Sequence, residues 1–264
     1  MKKQQLNCKI LANTEIIKDN FSMQIEWPNA DQDFLPGQFV EVEITKNLDP
    51  LIRRPFSIFD TDENSFKIAY KKLGKGTQTL SSHKAGEMIN IIGPIGNFYP
   101  THKIKDDQKV VIVGGGTGIA SVHYLAKFLE KKNIKYTLLI GFRTCADVFC
   151  DPELKDLTGD IIITTNDGSV GEKGFVTDHF NFQNLENSIF FICGPAPMTR
   201  AWQDKINATN IQNYEIFASL EEYMGCGLGL CNGCVVKLKK EDGFEFKRVC
   251  KNGPIFNLKD ILWT

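Results

Sequence analysis

The chain has 264 residues, with 31 Lys and Arg against 32 Asp and Glu and a formal net charge of -1. That length is beyond the roughly 100 to 200 residues of one domain, so two domains and a small third are expected around a sizeable buried core. The charge balance excludes a global field that would draw nucleic acid or an anionic membrane, so neither is an expected partner and recognition falls to local surfaces.

The N-terminal stretch "MKKQQLNCKILANTEIIKDN" has early lysines but lacks the apolar region and small-residue cleavage site of a secretory signal. No run of about 18 apolar residues follows, so the expected location is cytoplasmic. In that compartment thiols stay reduced, and the eight cysteines point to metal or redox chemistry rather than to disulfides.

Residues 1–103 carry short alternating runs such as "GQFVEVEI" and "FKIAY", broken at Pro36-Gly37, Gly74 to Gly76, Gly93-Pro94 and Gly96-Asn97. Regularly spaced short strands with this punctuation predict an antiparallel β-barrel. In "LIRRPFSI", Arg54 precedes Pro55, Phe56 and Ser57 on a strand. An arginine fork binds a diphosphate bidentately, and Phe56 and Ser57 offer an aromatic face and a hydroxyl to an isoalloxazine ring. Taken alone, an Arg-Pro pair at a barrel edge is more often an edge-strand device. Its context strengthens the flavin reading. "AYKKLGKGTQTLS" supplies an extended Ala69, Tyr70 and Lys71, then Gly74-Lys75-Gly76-Thr77, whose N–H groups and hydroxyl suit a second phosphate at a helix start. This is not a Walker loop, because G-x4-G-K-[ST] is absent.

Residues 104–218 change character. Val110 to Val113 is a continuous apolar run, Ile119 to Leu129 has helical spacing, and "YTLLIGF", "DIIITTND" and "SIFFICG" follow with helix-like stretches between them. Buried parallel strands alternating with helices predict a doubly wound α/β nucleotide-binding domain, with function at the carboxyl ends of the strands. Gly114, Gly115, Gly116, Thr117 and Gly118 form a glycine turn before a helix, where free N–H groups favour a pyrophosphate. The dinucleotide fingerprint is imperfect, since Ser121 stands where a third glycine or alanine belongs. Cys193, Gly194 and Pro195 repeat the arrangement at a later strand end, where a simple glycine turn with a buried cysteine is an equal reading. Arg143 suits either a ribose 2'-phosphate or a surface charge, so NAD and NADP both fit the residues.

Residues 219–264 hold Cys226, Cys231, Cys234 and Cys250, spaced C-x4-C-x2-C-x15-C. This is the plant-type [2Fe-2S] spacing, and Gly225, Gly227, Gly229 and Gly233 let backbone approach sulfides and aim N–H groups at them. A structural zinc site competes, but zinc ribbons usually pair two short C-x2-C knuckles. Cys8, Cys145 and Cys150 are expected as small buried apolar residues. The four histidines form no paired-ligand pattern, and no Ser/His/Asp order stands out.

"RPFS", "GGGTGIA" and "CGPAPM" in that order resemble the ferredoxin-NADP reductase superfamily. "SLEEYMGCGLGLCNGCVVK" followed by "RVCKNGPIF" narrows the resemblance to the electron-transfer subunits of NAD-dependent dihydroorotate dehydrogenase B, over essentially the whole chain. The resemblance implies FAD at Arg54, Pro55, Phe56, Ser57, Ala69, Tyr70, Lys71, Gly76 and Thr77, and a [2Fe-2S] cluster on Cys226, Cys231, Cys234 and Cys250. It implies a partner, an FMN-containing catalytic subunit that oxidises dihydroorotate to orotate in pyrimidine biosynthesis, and a heterotetramer of two of each subunit. Electrons would pass from the FMN through cluster and FAD to NAD+. No proton-transferring side chain is required of this chain, so its own catalytic set is empty. It cannot oxidise dihydroorotate alone, because a TIM barrel needs about 250 residues by itself. Related subunits of sulfhydrogenases and ferredoxin-NADP oxidoreductases fit the same motifs, and a zinc-stabilised binding module that has lost catalysis is the reading from another class.

Overall fold

The alternating runs of the first segment build strands whose inward residues form one apolar interior. The computed structural model describes residues 3–28, 34–45, 47, 49–148 and 154–263. Strands β1 (Gln4–Ile17), β2 (Asn20–Glu26), β3 (Phe39–Val42), β4 (Arg54–Ser57), β5 (Asp60–Asp62), β6 (Ser65–Lys71) and β7 (Met88–Ile95) form one antiparallel sheet in the order β4-β3-β7-β1-β2-β6-β5. Ile10, Met23, Ile25, Val40, Val42, Phe66 and Ile68 fill its inside. The sheet curls into a barrel-like form, bringing the Phe56 ring of β4 within 5.7 Å of the Tyr70 ring of β6. Helix α1 (Lys75–Ser82) follows β6 directly. In the register of β3 on β4, Phe39 faces Ser57, Glu41 faces Pro55 and Val42 faces Arg54.

The continuous apolar runs of the second segment become strands buried on both faces. Strands β8 (Lys109–Gly115), β9 (Thr137–Phe142), β10 (Asp160–Thr165), β11 (Glu172–Lys173), β12 (Ser188–Cys193) and β13 (Tyr214–Ser219) run parallel in the order β11-β10-β9-β8-β12-β13. On one face Ile112, Leu138, Ile140 and Phe191 pack with Ile119, Val122 and Leu125 of α2 (Ile119–Lys131). On the other face Val111, Val113, Phe190 and Ile192 pack with Trp202 and Ile206 of α3 (Ala196–Asn207). The chain winds outward from β8 to β11 and then returns to the opposite side of β8 with β12. This reversal opens a crevice at the strand carboxyl ends beside β8, where nucleotides bind in such sheets.

The C-terminal segment forms a small sheet of β14 (Val235–Lys240), β15 (Gly243–Arg248) and β17 (Ile261–Leu262), with the short helix α4 (Val249–Asn252) after β15. It is not a separate appendage. Strand β16 (Ile255–Asn257) pairs antiparallel with β13 and so completes the nucleotide sheet. Val236, Leu238, Val249 and Ile261 join the same apolar cluster as Trp202. Gln203 of α3 spends its amide on the carbonyls of Leu258 (2.6 Å) and Ile261 (3.0 Å), so a buried polar group is used rather than wasted. Asn97, just past β7, ties the barrel to the same place: its side chain accepts from Ile255 N–H (2.8 Å) and donates to Ile255 C=O (2.8 Å), as a strand neighbour would. Among the described residues no helix is long and apolar enough to cross a membrane.

Cys8 is buried in the barrel as expected. Cys145 is a correction: it is exposed, because it opens the turn after β9 at the rim of the crevice, its N–H donated to the Ser169 hydroxyl (2.7 Å). Cys150 lies outside the described residues. Replacing Asn97 with Ala should strip both side-chain bonds from Ile255 and destabilise the protein by about 2 kcal/mol, read as a lower urea midpoint.

Candidate functional site

The strand β4 and the end of β6 flank one cavity of about 520 Å³, which takes in Pro55, Phe56, Ser57, Ala69, Tyr70, Lys71 and Thr77. Arg54 lies beside it. The guanidinium of Arg54 crosses the face of Gly76, where an added β-carbon would meet Nε at 3.0 Å. A side chain at position 76 would therefore push the arginine away from the first turn of α1. Arginine and helix N-terminus together present a cation and free N–H groups, the two elements a diphosphate needs. The Thr77 hydroxyl accepts from Leu73 N–H (2.9 Å) and so caps the turn. Tyr70 is fixed by donating to the Asn13 side chain (2.9 Å), and its buried phenol is held well above its ordinary titration range, chiefly by burial. Lys71 behaves differently from its neighbours: its ammonium crosses to Asp147 (2.6 Å) beyond β9, which leaves the backbone and stem beside the cavity.

A second cavity of about 700 Å³ opens at the carboxyl ends of β8, β9 and β10 and shares Lys71, Leu73 and Thr117 with the first. The glycine turn divides its labour here. Gly115 and Gly116 line this crevice, and Gly116 has a φ of 52°, a conformation that favours glycine. Gly114 and Gly118 instead permit packing: a β-carbon on Gly114 would press on Val122 at 2.9 Å, and one on Gly118 would overlap the Cys193 carbonyl. Pro195 lines the crevice, Gly194 lies under Met198, and the Cys193 side chain is buried. Burial first, then the charge of Glu221, push the Cys193 thiol well above its ordinary range, against the hydroxyls of Ser219, Ser121 and Tyr99. Arg143 stands at the rim with its side chain 76% exposed and paired to Asp147 at 3.3 Å. Burial would raise the Asp147 carboxyl, but Lys71 and Arg143 hold it below the usual carboxylate range.

The cysteine loop leaves the end of β13. Cys226 Sγ accepts from Leu228 N–H (3.4 Å) and Leu230 N–H (3.3 Å), Cys231 Sγ from Gly233 N–H (3.4 Å), and Cys234 Sγ from Cys250 N–H (3.5 Å). Burial alone would raise the Cys226 thiol, yet the amides of Cys231, Leu230 and Leu228 bring it down to about 6. Gly227 and Gly229, at φ 64° and 81°, make the tight turns that aim these amides inward. The Arg248 guanidinium clamps the loop through the Gly229 carbonyl (2.5 Å). Among the described residues no three His, Cys, Asp or Glu side chains converge as a site for a single metal ion. The sulfurs fall into two pairs instead: Cys234 with Cys250, buried at 3.3 Å, and Cys226 with Cys231 toward solvent. Two thiolates for each of two irons is the division a [2Fe-2S] cluster requires, and N–H groups aimed at sulfur complete its surroundings, so the residues fit that group.

Sequence reasoning missed part of the first cavity. Ser219 to Met224, together with Phe39 and Pro254, close its far side, so that Glu221 and Glu222 line it. The signal was present as two glutamates at a strand end just before the first cysteine of the loop, but only the β13 to β16 pairing carries that stretch back to the barrel. Glu41 also escaped notice, as an apparently ordinary polar residue in an alternating strand.

Three family models match in chain order. The oxidoreductase FAD-binding domain covers residues 7–99, the oxidoreductase NAD-binding domain 112–204, and the iron-sulfur cluster binding domain of dihydroorotate dehydrogenase B 221–262. The chain is 34% identical over 262 residues to a Bacillus cereus (strain Q1) protein named dihydroorotate dehydrogenase B (NAD(+)), electron transfer subunit, covering 98% of this chain and 99% of that one. A Bacillus anthracis (strain CDC 684 / NRRL 3495) protein of the same name matches at the same identity and coverage. Among solved structures, an NADH-dependent reduced ferredoxin-NADP oxidoreductase matches with a TM-score of 0.79 and 28% identity, over 98% of this chain and 90% of that one. The ferredoxin reductase of carbazole 1,9a-dioxygenase shares the fold, with a TM-score of 0.68 and 18% identity over 82% of this chain and 69% of that one.

Replacing Arg54 with Ala should weaken flavin retention by about 10- to 100-fold, the worth of a charge-assisted bond of roughly 1.5 to 3 kcal/mol. The flavin-to-protein absorbance ratio after gel filtration checks it, and undiminished flavin content would count against the diphosphate contact.

Proposed function

The chain belongs to the electron transfer subunits of dihydroorotate dehydrogenase B (NAD(+)), and from that membership we propose that it takes electrons from a separate catalytic subunit and delivers them to NAD+. In this reading the partner holds FMN, oxidises dihydroorotate to orotate for pyrimidine biosynthesis, and assembles with this chain as a heterotetramer of two of each subunit. A cytoplasmic location is part of the proposal, resting on the clustered cysteines of the loop, which a reducing compartment keeps from pairing as disulfides.

The observation that carries the reading is contiguity. Ser219 to Met224 forms the far wall of the barrel-side cavity and runs straight into Cys226, while Lys71, Leu73 and Thr117 are common to that cavity and the crevice beyond β8. Cysteine loop, flavin cavity and dinucleotide crevice thus adjoin one another through shared or consecutive residues. A bound flavin exchanges a hydride with nicotinamide and single electrons with an iron-sulfur cluster, which is why the middle place suits it. The residues of the chain bind and exclude: Arg54 and the start of α1 for the diphosphate, Gly115 and Gly116 for the dinucleotide, and the loop amides for the thiolates.

At the other end of the route the loop meets solvent. Leu230 is 78% exposed and Tyr223 96% exposed beside Cys226 and Cys231. We assign the partner's docking face to this rim, where large apolar side chains lie open next to the outer sulfur pair. The 28% likeness to an NADH-dependent reduced ferredoxin-NADP oxidoreductase keeps a second reading, in which the same sites serve a ferredoxin-linked partner.

Anaerobic co-purification with a candidate catalytic subunit should produce dihydroorotate-dependent NAD+ reduction only when both chains are present. With flavin and iron-sulfur intact but no complex and no activity, the ferredoxin-linked reading would replace this one. In the assembled enzyme, Cys231→Ser should abolish dihydroorotate-dependent NAD+ reduction while leaving NADH–ferricyanide activity, which needs only the flavin and the crevice.

A further inference from the structure

Glu41 occupies a position that burial makes costly. It sits within β3 at 1% exposure, and its Oε1 accepts no hydrogen bond. A buried carboxyl oxygen without a partner is costly, so one in a folded chain calls for an explanation.

Its surroundings join two of the sites. On one side is the flavin strand β4, where Pro55 lies directly opposite Glu41 and Arg54 opposite the next residue. On the other side is the cysteine loop: a β-carbon on Gly227 would overlap the Glu41 carboxyl, so the side chain rests on bare backbone next to Cys226. Gly227 is therefore fixed twice, by its φ of 64° and by the carboxyl lying on it. Neither nearby arginine bonds this group. Arg53 gives its guanidinium to Asn90 C=O (3.0 Å) and the Asn90 side chain (2.6 Å), and Arg54 gives its own to Ile52 C=O (2.6 Å). Burial raises the Glu41 carboxyl most, Arg53 and Arg54 lower it and Cys226 raises it, leaving it at about 7.

We propose that Glu41 is a tuning and positioning residue for the iron-sulfur cluster, its buried carboxylate lowering the cluster's reduction potential and its packing on Gly227 setting the loop against the flavin strand. A fixed negative charge in a poorly screened interior opposes the arrival of an electron nearby, and net charge around a cluster is one of the levers on its potential. A lower potential favours onward delivery of the electron toward the flavin strand. Glu41 touches no reacting atom, and the inference rests on the reading of Cys226, Cys231, Cys234 and Cys250 as cluster ligands.

The test is an EPR-monitored redox titration of the flavin-loaded protein at pH 9, with iron, sulfide and FAD measured in each sample. Glu41→Gln keeps the shape and removes the charge. Glu41→Leu removes the charge and needs no polar partner, and serves if the Gln variant does not fold. Either neutral variant with full iron and sulfide should show the cluster midpoint shifted upward, and Glu41→Asp should lie closer to wild type. A neutral variant that keeps its cluster and titrates at the wild-type midpoint overturns the proposal, since a purely structural residue would change cluster content without moving the potential. Wild-type protein lacking iron and sulfide would instead overturn the ligand reading on which it rests.

Discussion

Ile255 is where the molecule is tied together. Its backbone faces Ser219 at the end of β13 in the antiparallel pairing that adds β16 to the nucleotide sheet, and both its N–H and its C=O are held by the side chain of Asn97 from the barrel. A few hydrogen bonds thus link barrel, nucleotide sheet and cysteine segment at one residue. The electron route depends on that junction. The stretch after Ser219 forms the wall of the barrel-side cavity and leads into the cysteine loop from the point where β13 ends against β16.

The same economy governs the polar groups. Backbone N–H groups are turned away from helix and sheet ladders in the cysteine loop, where Leu228, Leu230 and Gly233 donate to sulfur, and helix starts present theirs at α1 and after β8. Such groupings of N–H donors favour negative charge. In the loop the effect is already visible, since amide donors outweigh burial and bring the Cys226 thiol down to about 6. Cys193, without backbone donors and enclosed by the core, goes the other way. Two cysteines in one chain are driven in opposite directions by what surrounds them.

Charge is handled with similar contrast at the two junctions between sites. Between barrel and nucleotide domain, Lys71 and Arg143 both pair with Asp147 across the gap, so that its carboxylate is bridged by two cations. Between barrel and cysteine loop, Glu41 is left without a bonded counter-ion. One boundary is bridged by ion pairs and the other holds a buried carboxyl with no bonded cation.

The sequence by itself determined what local chemistry specifies. Period-two runs with glycine and proline breaks forecast the curled antiparallel sheet, continuous apolar runs forecast the parallel strands, and the C-x4-C-x2-C-x15-C spacing with its glycines forecast a loop able to surround a two-iron cluster. These are legible because strand period, turn conformation and thiol spacing depend on residues close in the chain. The glycine turn was legible only as a turn: that Gly115 and Gly116 open to the crevice while Gly114 and Gly118 serve packing depends on α2 and on the Cys193 carbonyl, which belong to other parts of the fold. The exposure of Cys145, the wall formed by Glu221 and Glu222, and the approach of Glu41 to Gly227 were likewise decided by tertiary structure. Each joins residues distant in sequence through strand pairing and side-chain contact, and no local spacing encodes which distant backbone a side chain will meet.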